Sequence, residues 1–536
     1  MGAAASRRLE RRSWTAIRAA VEADPDAPSV LMATAVGGHL AAVQFDASIA
    51  VALTLRGVKV AFLLCDAALP ACMVDQHDWY ADRSRFLRED RLRDVCRTCL
   101  PVGEKYLAPL ELPTFRLSEL LGPDERRSAY AAADDADLAD VKSWQFKGLP
   151  VGEHALAGAL RFHARADLDG VAGADSVLKA YLRAGAVSAC AAQALARHFP
   201  YDTLVAHHGI YIPQGIWAAA ARQAGKNVVV WNPGYKTNSF ILSPHDSYHK
   251  TMITEDTGLW EGLALDDGER DSLHAYLKQR RSGAGDWISF GSGDTGRFSD
   301  YLRKLGLDAA KPTIGLLTSV TWDAQLHYES NAFDSQLAWI DATLEHFTHR
   351  TDVNLVVRIH PAEITGFIPT RQPVADHIRQ RFGRLPPHIA VIGPDDPLNT
   401  YGITDGCDSV LVYSTKTGIE LSTGGMPVVV AGEAWMRGKG FSIDASSPEQ
   451  YDSILASLPL RARLSRQQKA RAERYAFHLF FRRMVELPGF VKMSGWPPYR
   501  SVIRSLDELA PGADANLDMV CREIVRGGQF LAPTHS

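Results

Sequence analysis

Two short stretches of this chain hold residues that could do chemistry. Leu355-Val356-Val357-Arg358-Ile359-His360-Pro361-Ala362-Glu363 is an apolar, β-branched run that ends among a guanidinium, an imidazole and a carboxylate. Leu411-Val412-Tyr413 likewise stops at Ser414, Thr415, Lys416 and Thr417, with Glu420 one turn further on. A buried parallel strand ends in this way where it delivers side chains to the crevice at its carboxyl end. Pro361 cannot extend a central strand and restricts His360 to extended backbone, which fixes the imidazole at a strand tip beside Arg358 and Glu363. Ser414, Thr415 and Thr417 offer hydroxyls and N–H groups where a helix is expected to begin, a natural cradle for phosphate. An imidazole at one strand tip and a phosphate cradle at the next suit a nucleotide-activated sugar.

The elements that must position these residues form two blocks of alternating strands and helices. In the first, strands are predicted at 29–35, 58–66, 203–209 and 228–232, with helices at about 41–55 and 214–224. In the second, strands are predicted at 313–318, 355–359, 389–392, 411–413 and 427–431, with helices at about 335–348 and 374–382. The fold class expected is α/β, two Rossmann-like doubly wound domains facing each other across a cleft. The expected division is an N-terminal domain at 1–262 with a mostly polar, helical insertion at about 76–198. A charged connector at 263–310, a C-terminal domain at 311–464 and a helical tail at 465–536 packing back across the domains follow. At 536 residues, more than one core is required.

Composition narrows the function classes. A hydrophobic fraction of 46% and a charged fraction of 22% are those of a soluble globular protein. The net charge of −4 gives no global electrostatic case for nucleic acid. No apolar run is long enough to span a bilayer, and Arg7, Arg8, Arg11 and Arg12 lead into an amphipathic stretch, not a signal sequence. Met1-Gly2 with Ser6 fits a myristoylation pattern by letters. The expected location is cytoplasmic. The Arg-rich C-terminal helix bearing Tyr475, Phe477, Phe480 and Phe481 is expected to brace the domains, with peripheral contact at the inner membrane as its alternative use.

Cys65, Cys72, Cys96 and Cys99 cluster in sequence, and Cys96 and Cys99 have the two-residue gap of a metal knuckle. These four are candidate ligands of a structural zinc; buried reduced thiols are the alternative.

Sugar transfer needs a stabilised leaving group and an acceptor hydroxyl that loses a proton. The proton acceptor is expected from the first block. His39 follows Gly37-Gly38 at one predicted strand tip, where the chain could approach a substrate closely. His207 and His208 precede Gly209 at another tip, and Asp66 ends a third strand. His39, then His208, then Asp66 is the order of candidates, with Asp46 a possible orienter of His39. A retaining reaction would favour Asp66 as nucleophile. No Asp-x-Asp pair stands in a metal-holding position, so donor phosphate charge is left to protein groups and no cofactor is expected for catalysis. Trp322-Asp323 and Trp231-Asn232-Pro233-Gly234 suit either a sugar-binding surface or ordinary packing and turns. Gly432-Glu433 and Arg437-Gly438-Lys439-Gly440 read as a mobile loop over the donor or a flexible surface turn.

The ordered set Val320-Thr321-Trp322-Asp323-Ala324, Arg358-Ile359-His360-Pro361-Ala362-Glu363, Ser414-Thr415-Lys416-Thr417-Gly418-Ile419-Glu420 and Gly425-Met426-Pro427-Val428-Val429 resembles the bacterial capsule and surface polysaccharide biosynthesis family. That family has the GT-B architecture and includes Kdo transferases. Similar His-Pro and Ser-Ser or Ser-Thr elements occur in bacterial sialyltransferases and teichoic acid polymerases, which use cytidine nucleotides. The resemblance implies a glycosyltransferase acting from a nucleotide-sugar donor, with CMP-Kdo favoured, onto a glycan or glycolipid acceptor. It places His360-Pro361 against the base or phosphate and Glu420 on the donor's ribose. A sugar-nucleotide epimerase of the same architecture and a non-catalytic scaffold of polysaccharide export are the rival expectations.

Overall fold

The structure is a computed structural model that describes residues 3–79, 86, 89–288, 298–326, 328–460, 462–495 and 497–533. The myristoylation letters at Met1-Gly2 lie outside these, as does part of the 263–310 stretch. The chain forms two compact units. Unit 1 comprises Met1–His163, Asp169–Thr251 and Arg482–Ser536; unit 2 comprises Ala164–Leu168 and Met252–Phe481.

The sheet of unit 1 uses β1 (Ser29–Ala35), β2 (Lys59–Leu64), β3 (Thr114–Arg116), β4 (Thr203–His207), β5 (Asn227–Pro233), β6 (Ser239–Pro244) and β13 (Met484–Glu486). Their order is β13-β6-β5-β4-β1-β2-β3. Strands β1 to β5 run parallel, while β6 is antiparallel to β5 and β13 antiparallel to β6. Every residue of β1 is buried, as an apolar central strand covered on both faces must be. The helix Leu40–Thr54 follows it, and Gly57 stops that helix at a φ of 79°, which glycine adopts without strain. Within the stretch expected to be helical, β3 adds a strand beside β2. At three residues it is too short to show periodicity.

Unit 2 holds β7 (Thr313–Leu317), β8 (Asn354–Arg358), β9 (Ile389–Ile392), β10 (Ser409–Val412), β11 (Val428–Val430) and β12 (Ile443–Asp444). All its pairings are parallel and the order is β12-β11-β10-β7-β8-β9. Counted from β7, this is the doubly wound order of a dinucleotide-binding sheet. The helix Gln336–Thr348, capped by the Ser335 hydroxyl at 3.1 Å, buries Trp339, Ile340, Leu344 and Phe347 against the strands. The stretch expected as a connector contributes the helix Asp267–Arg281. Asp266 and Glu269 exchange side-chain and backbone hydrogen bonds at its start.

The C-terminal tail is shared by the two units. Its helix Arg466–Phe477 belongs to unit 2, whereas β13, the β14 (Phe490–Lys492) and β15 (Tyr499–Ser501) hairpin and the helix Ala515–Arg526 belong to unit 1. Tyr475, Phe477 and Phe480 are buried, so the aromatic face offered for a membrane is used inside the protein. Among the described residues no helix is long and apolar enough to cross a membrane.

Asp46 does not orient His39. It is fully buried in unit 1 and accepts from Trp231 Nε1 at 2.8 Å, with Trp231 stacked on Phe45 at 3.9 Å. Burial pushes its carboxyl from 3.8 up to about 7. A raised carboxyl favours the folded state fully only below its unfolded value, and that contribution is lost as pH rises to about 7. Asp46→Asn, which keeps the acceptor for Trp231, is therefore expected to stabilise the protein by roughly 2 kcal/mol at about pH 8, with the gain vanishing near pH 4. Urea denaturation at both pH values checks this.

Candidate functional site

Each sheet has a point where successive connections leave on opposite sides, opening a crevice at the strands' carboxyl ends. In unit 2 it lies between β7 and β10, and the residues after those strands meet there. Ser319 Oγ and Ser414 Oγ are 2.7 Å apart. Ser319 is held by Gln336, whose Oε1 accepts from its N–H at 2.7 Å and whose Nε2 donates to its carbonyl at 3.1 Å. Thr415 Oγ1 accepts from the Thr417 N–H at 3.3 Å and donates to Thr417 Oγ1 at 3.1 Å, which tightens the turn into the helix Thr417–Thr423.

His360 stands at the end of β8. Its N–H donates to Thr318 Oγ1 at 2.9 Å, and its Nδ1 accepts from the Ala362 N–H at 3.0 Å. Accepting at Nδ1 places the ring proton on Nε2, so the imidazole presents a donor. Burial pushes His360 down to about 4, and the charges of Lys416 and Arg358 add to the effect. Pro361, with φ −57°, caps the short helix Ala362–Thr365. Lys416 is half-buried and pushed down to about 7, first by burial and then by Arg280.

Three other donor-site candidates are engaged by the fold. Arg358 is 4% exposed and donates to the carbonyls of Gly393, Asp396 (3.3 Å) and Leu398 (3.2 Å), fixing the loop after β9. Glu363 is buried and accepts from the Val374 N–H at 3.3 Å, at the start of the helix Val374–Phe382; burial pushes it up to about 7. Glu420 accepts from the Tyr401 hydroxyl at 2.5 Å and pairs with Arg280 at 3.0 Å. The loop expected to be mobile is packed: Arg437 is buried and donates to the carbonyls of Gly432 (2.9 Å), Val430 (3.3 Å) and Ala445 (2.8 Å). Trp322 is a packing residue, buried with Ala164 and Ile368 and donating to Thr370 Oγ1 at 3.1 Å.

Sequence reasoning passed over Ser319, Gln336 and Arg280, and met Glu433 only as part of a loop. Ser319 had a signal, since Thr318-Ser319 follows an apolar run as Ser414-Thr415 does. Glu433, buried just past β11 and pushed up to about 7 by burial, was hidden in a stretch that read as a loop. Arg280 arrives on a helix that no strand-end argument reaches.

In unit 1 the corresponding crevice lies between β1 and β4, and it gathers imidazoles. The His39 and His207 rings are 4.9 Å apart, and those of His207 and His208 are 5.7 Å apart. His207 is 4% exposed and wedged between two half-buried neighbours. His39 Nδ1 accepts from the Ala42 N–H at 3.4 Å, so this ring too carries its proton on Nε2. Burial, then Arg161, pushes His39 down to about 4. His208 sits at a φ of 64°, its ring 5.0 Å from that of Tyr211. Asp66 stands apart, accepting from the Ser118 N–H at 2.9 Å and from the Ser118 hydroxyl.

Gly37 and Gly38 have a reason other than substrate approach. A Cβ on Gly37 would lie 2.8 Å from the Cys99 carbonyl oxygen, and the Gly38 N–H donates to Cys99 Sγ at 2.9 Å. The glycines let this loop pass the helix Glu89–Leu107. Cys65, Cys72, Cys96 and Cys99 line one cavity of about 20 Å³ with Val36, Leu69 and Asp75. Burial raises all four thiols, Cys65 to about 11 and Cys96 to about 12. Among the described residues no group of three His, Cys, Asp or Glu side chains is placed to hold a metal ion.

Residues 299–459 match the family described as capsule polysaccharide biosynthesis protein. No curated protein matches the chain. Similar solved structures include KpsC of Thermosulfurimonas dismutans, a β-Kdo 2,4 transferase. It is 14% identical with a TM-score of 0.33 over 51% of this chain and 79% of that one. The UDP-GlcNAc 2-epimerase of Neisseria meningitidis bound to UDP-GlcNAc is 11% identical, with a TM-score of 0.24 over 83% and 94%. The spinosyn rhamnosyltransferase SpnG with spinosyn aglycone is 12% identical, with a TM-score of 0.24 over 84% and 96%.

Proposed function

We propose, from the match of residues 299–459 to the family described as capsule polysaccharide biosynthesis protein, that this chain is a GT-B glycosyltransferase of capsule assembly. Its donor is a nucleotide-activated sugar, with a CMP-linked sugar such as CMP-Kdo favoured, and its acceptor a growing glycan or glycolipid. The observation that carries this reading is the hydroxyl pair Ser319–Ser414 at the switch point of an all-parallel, doubly wound sheet, with His360 at the tip of the adjoining strand.

In the reaction, the acceptor oxygen bonds to the anomeric carbon as the bond from that carbon to the donor phosphate breaks. The electron pair leaves on the phosphate. Ser319, Ser414, Thr415, Thr417 and the Lys416 ammonium meet that charge in unit 2, and the His360 Nε2–H adds a donor. At the unit 1 crevice, His39 is a poor base, because its Nδ1 is occupied and its ring gains a proton only near 4. We assign His39 the role of hydrogen-bond donor to the acceptor and His208 that of proton acceptor, with Asp66 held to its turn. Protein groups alone handle the leaving charge in this reading, so catalysis needs no metal.

A thermal-shift screen with CMP, CDP, UDP, GDP and ADP tests the proposal. Ligand at a hundredfold excess over its dissociation constant stabilises a protein by about 2.7 kcal/mol. Stabilisation by CMP or CDP alone is the expected result. A response to UDP or GDP alone rejects the cytidine donor, and no response to any nucleotide rejects the transferase.

A further inference from the structure

The helix Val151–His163 brings one more charged group to the unit 1 crevice. His154 and Arg161 stand two helical turns apart and therefore share a face of it. His154 meets the carbonyl of Ile210, in the segment after β4, through its Nδ1. Arg161 Nη1 donates to the carbonyls of Met73 (2.5 Å) and Asp75 (3.4 Å), in the segment after β2. The Met73 N–H in turn donates to the Ile212 carbonyl at 2.9 Å. The helix and both strand-end segments thus meet at this guanidinium.

Arg161 lies over the ring of Tyr211, 5.3 Å from its centre, and the His208 ring is 5.0 Å from that of the same tyrosine. Tyr211 is buried, so it is a fixed spacer between the guanidinium and the imidazole assigned as proton acceptor. Among the described residues no carboxylate pairs with Arg161. Asp75 gives it a carbonyl, while the Asp75 carboxylate accepts from the Cys72 N–H at 2.9 Å. The end of the helix favours a cation at this place but leaves its donors unused. A guanidinium is a planar fork suited to carboxylate or phosphate, and here one nitrogen alone serves the two carbonyls of a half-buried group.

We propose that Arg161 determines which acceptor this chain takes, by binding a carboxylate or phosphate that the acceptor carries while His208 meets the hydroxyl to be glycosylated. The inference rests on reading the crevice between β1 and β4 as the acceptor site. A neutral glycan would cover the guanidinium and leave it without a counter-charge, which costs binding energy. An anionic one completes a charge-assisted, two-pronged hydrogen bond, so discrimination comes from both sides.

The test is a ligand-observed NMR titration of the full chain with three matched probes: methyl β-D-glucopyranoside, methyl β-D-glucuronide and methyl β-D-glucopyranoside 6-phosphate. They share one ring and differ in carrying a hydroxyl, a carboxylate or a phosphate; CMP is titrated in parallel. The unaltered protein should bind an anionic probe roughly tenfold more tightly than the neutral one. Which anion is preferred separates an acidic sugar from a phosphorylated glycolipid as its source. In Arg161→Gln, which keeps a donor for the two carbonyls but no charge, the preference should vanish while CMP binds as before. Arg161→Lys, a charge without the fork, should keep only part of it. An arginine that merely braced the segment after β2 would weaken all three probes alike when replaced. If Arg161→Gln does not fold, Arg161→Lys decides, and an undiminished preference overturns the proposal. Equal binding of the three probes by the unaltered chain, or a preference that survives Arg161→Gln, also overturns it and leaves the transferase standing so long as CMP binds. A chain that binds no nucleotide overturns the transferase, and the three probes then still decide whether Arg161 reads an anion.

Discussion

His208→Ala should lower sugar-transfer turnover by about a hundredfold or more, the usual contribution of a positioned general base, while leaving nucleotide affinity unchanged. The acidic limb of the pH–rate profile should disappear with it. His39→Ala should behave differently. Its ring, held by Ala42 and pushed down to about 4, stays neutral from about pH 5 upward, so its removal deletes a hydrogen bond without deleting a titration. About tenfold in turnover and an unaltered profile are expected there. Steady-state rates of both variants over pH 5 to 9 check the pair. A lost acidic limb in His39→Ala, with a normal one in His208→Ala, would reverse the assignment.

Arg358→Met is the second large effect, and it falls on stability. Arg358 is buried and its guanidinium serves three carbonyls of the 393–398 loop. Methionine fills much of the same space but donates nothing, leaving those carbonyls without their donor. A loss of about 3 kcal/mol or more is expected, since hydrogen bonds from a charged group contribute about 1.5–3 kcal/mol each and a buried acceptor left bare costs more. Urea denaturation measures it. Nucleotide affinity of the folded fraction should change little. A variant of normal stability that binds nucleotide much more weakly would instead make Arg358 a direct contact of the donor.

The contrast between His360 and Arg358 shows what was legible in the sequence. Both stand at the end of β8 and look equally available there. The acceptors that claim Arg358 lie in a loop some distance along the chain, and no local pattern announces them. The same holds for Glu363, claimed by the Val374 N–H, and for Glu420, claimed by Arg280 and Tyr401. The strands themselves were readable because central parallel strands are continuous β-branched runs, and β1, β7 and β9 begin and end within a residue of their sequence limits. β3 and β13, three residues each at sheet edges, carried no such signal. The aromatic tail admitted a surface reading because Arg466, Arg471 and Arg474 surround it. It is buried because helices of this length turn one face inward, and Tyr475 and Phe477 occupy that face.

The claim on which the account rests is that the crevice between β7 and β10 holds the donor nucleotide. Amide hydrogen exchange of the full chain, with and without saturating CMP, tests it most directly. Protection should appear at Ser319, at His360 and Ala362, and from Thr415 to Glu420, and it should be lost in His360→Ala at the same ligand concentration. CMP that protects other segments while these amides exchange at their unliganded rates would contradict the account.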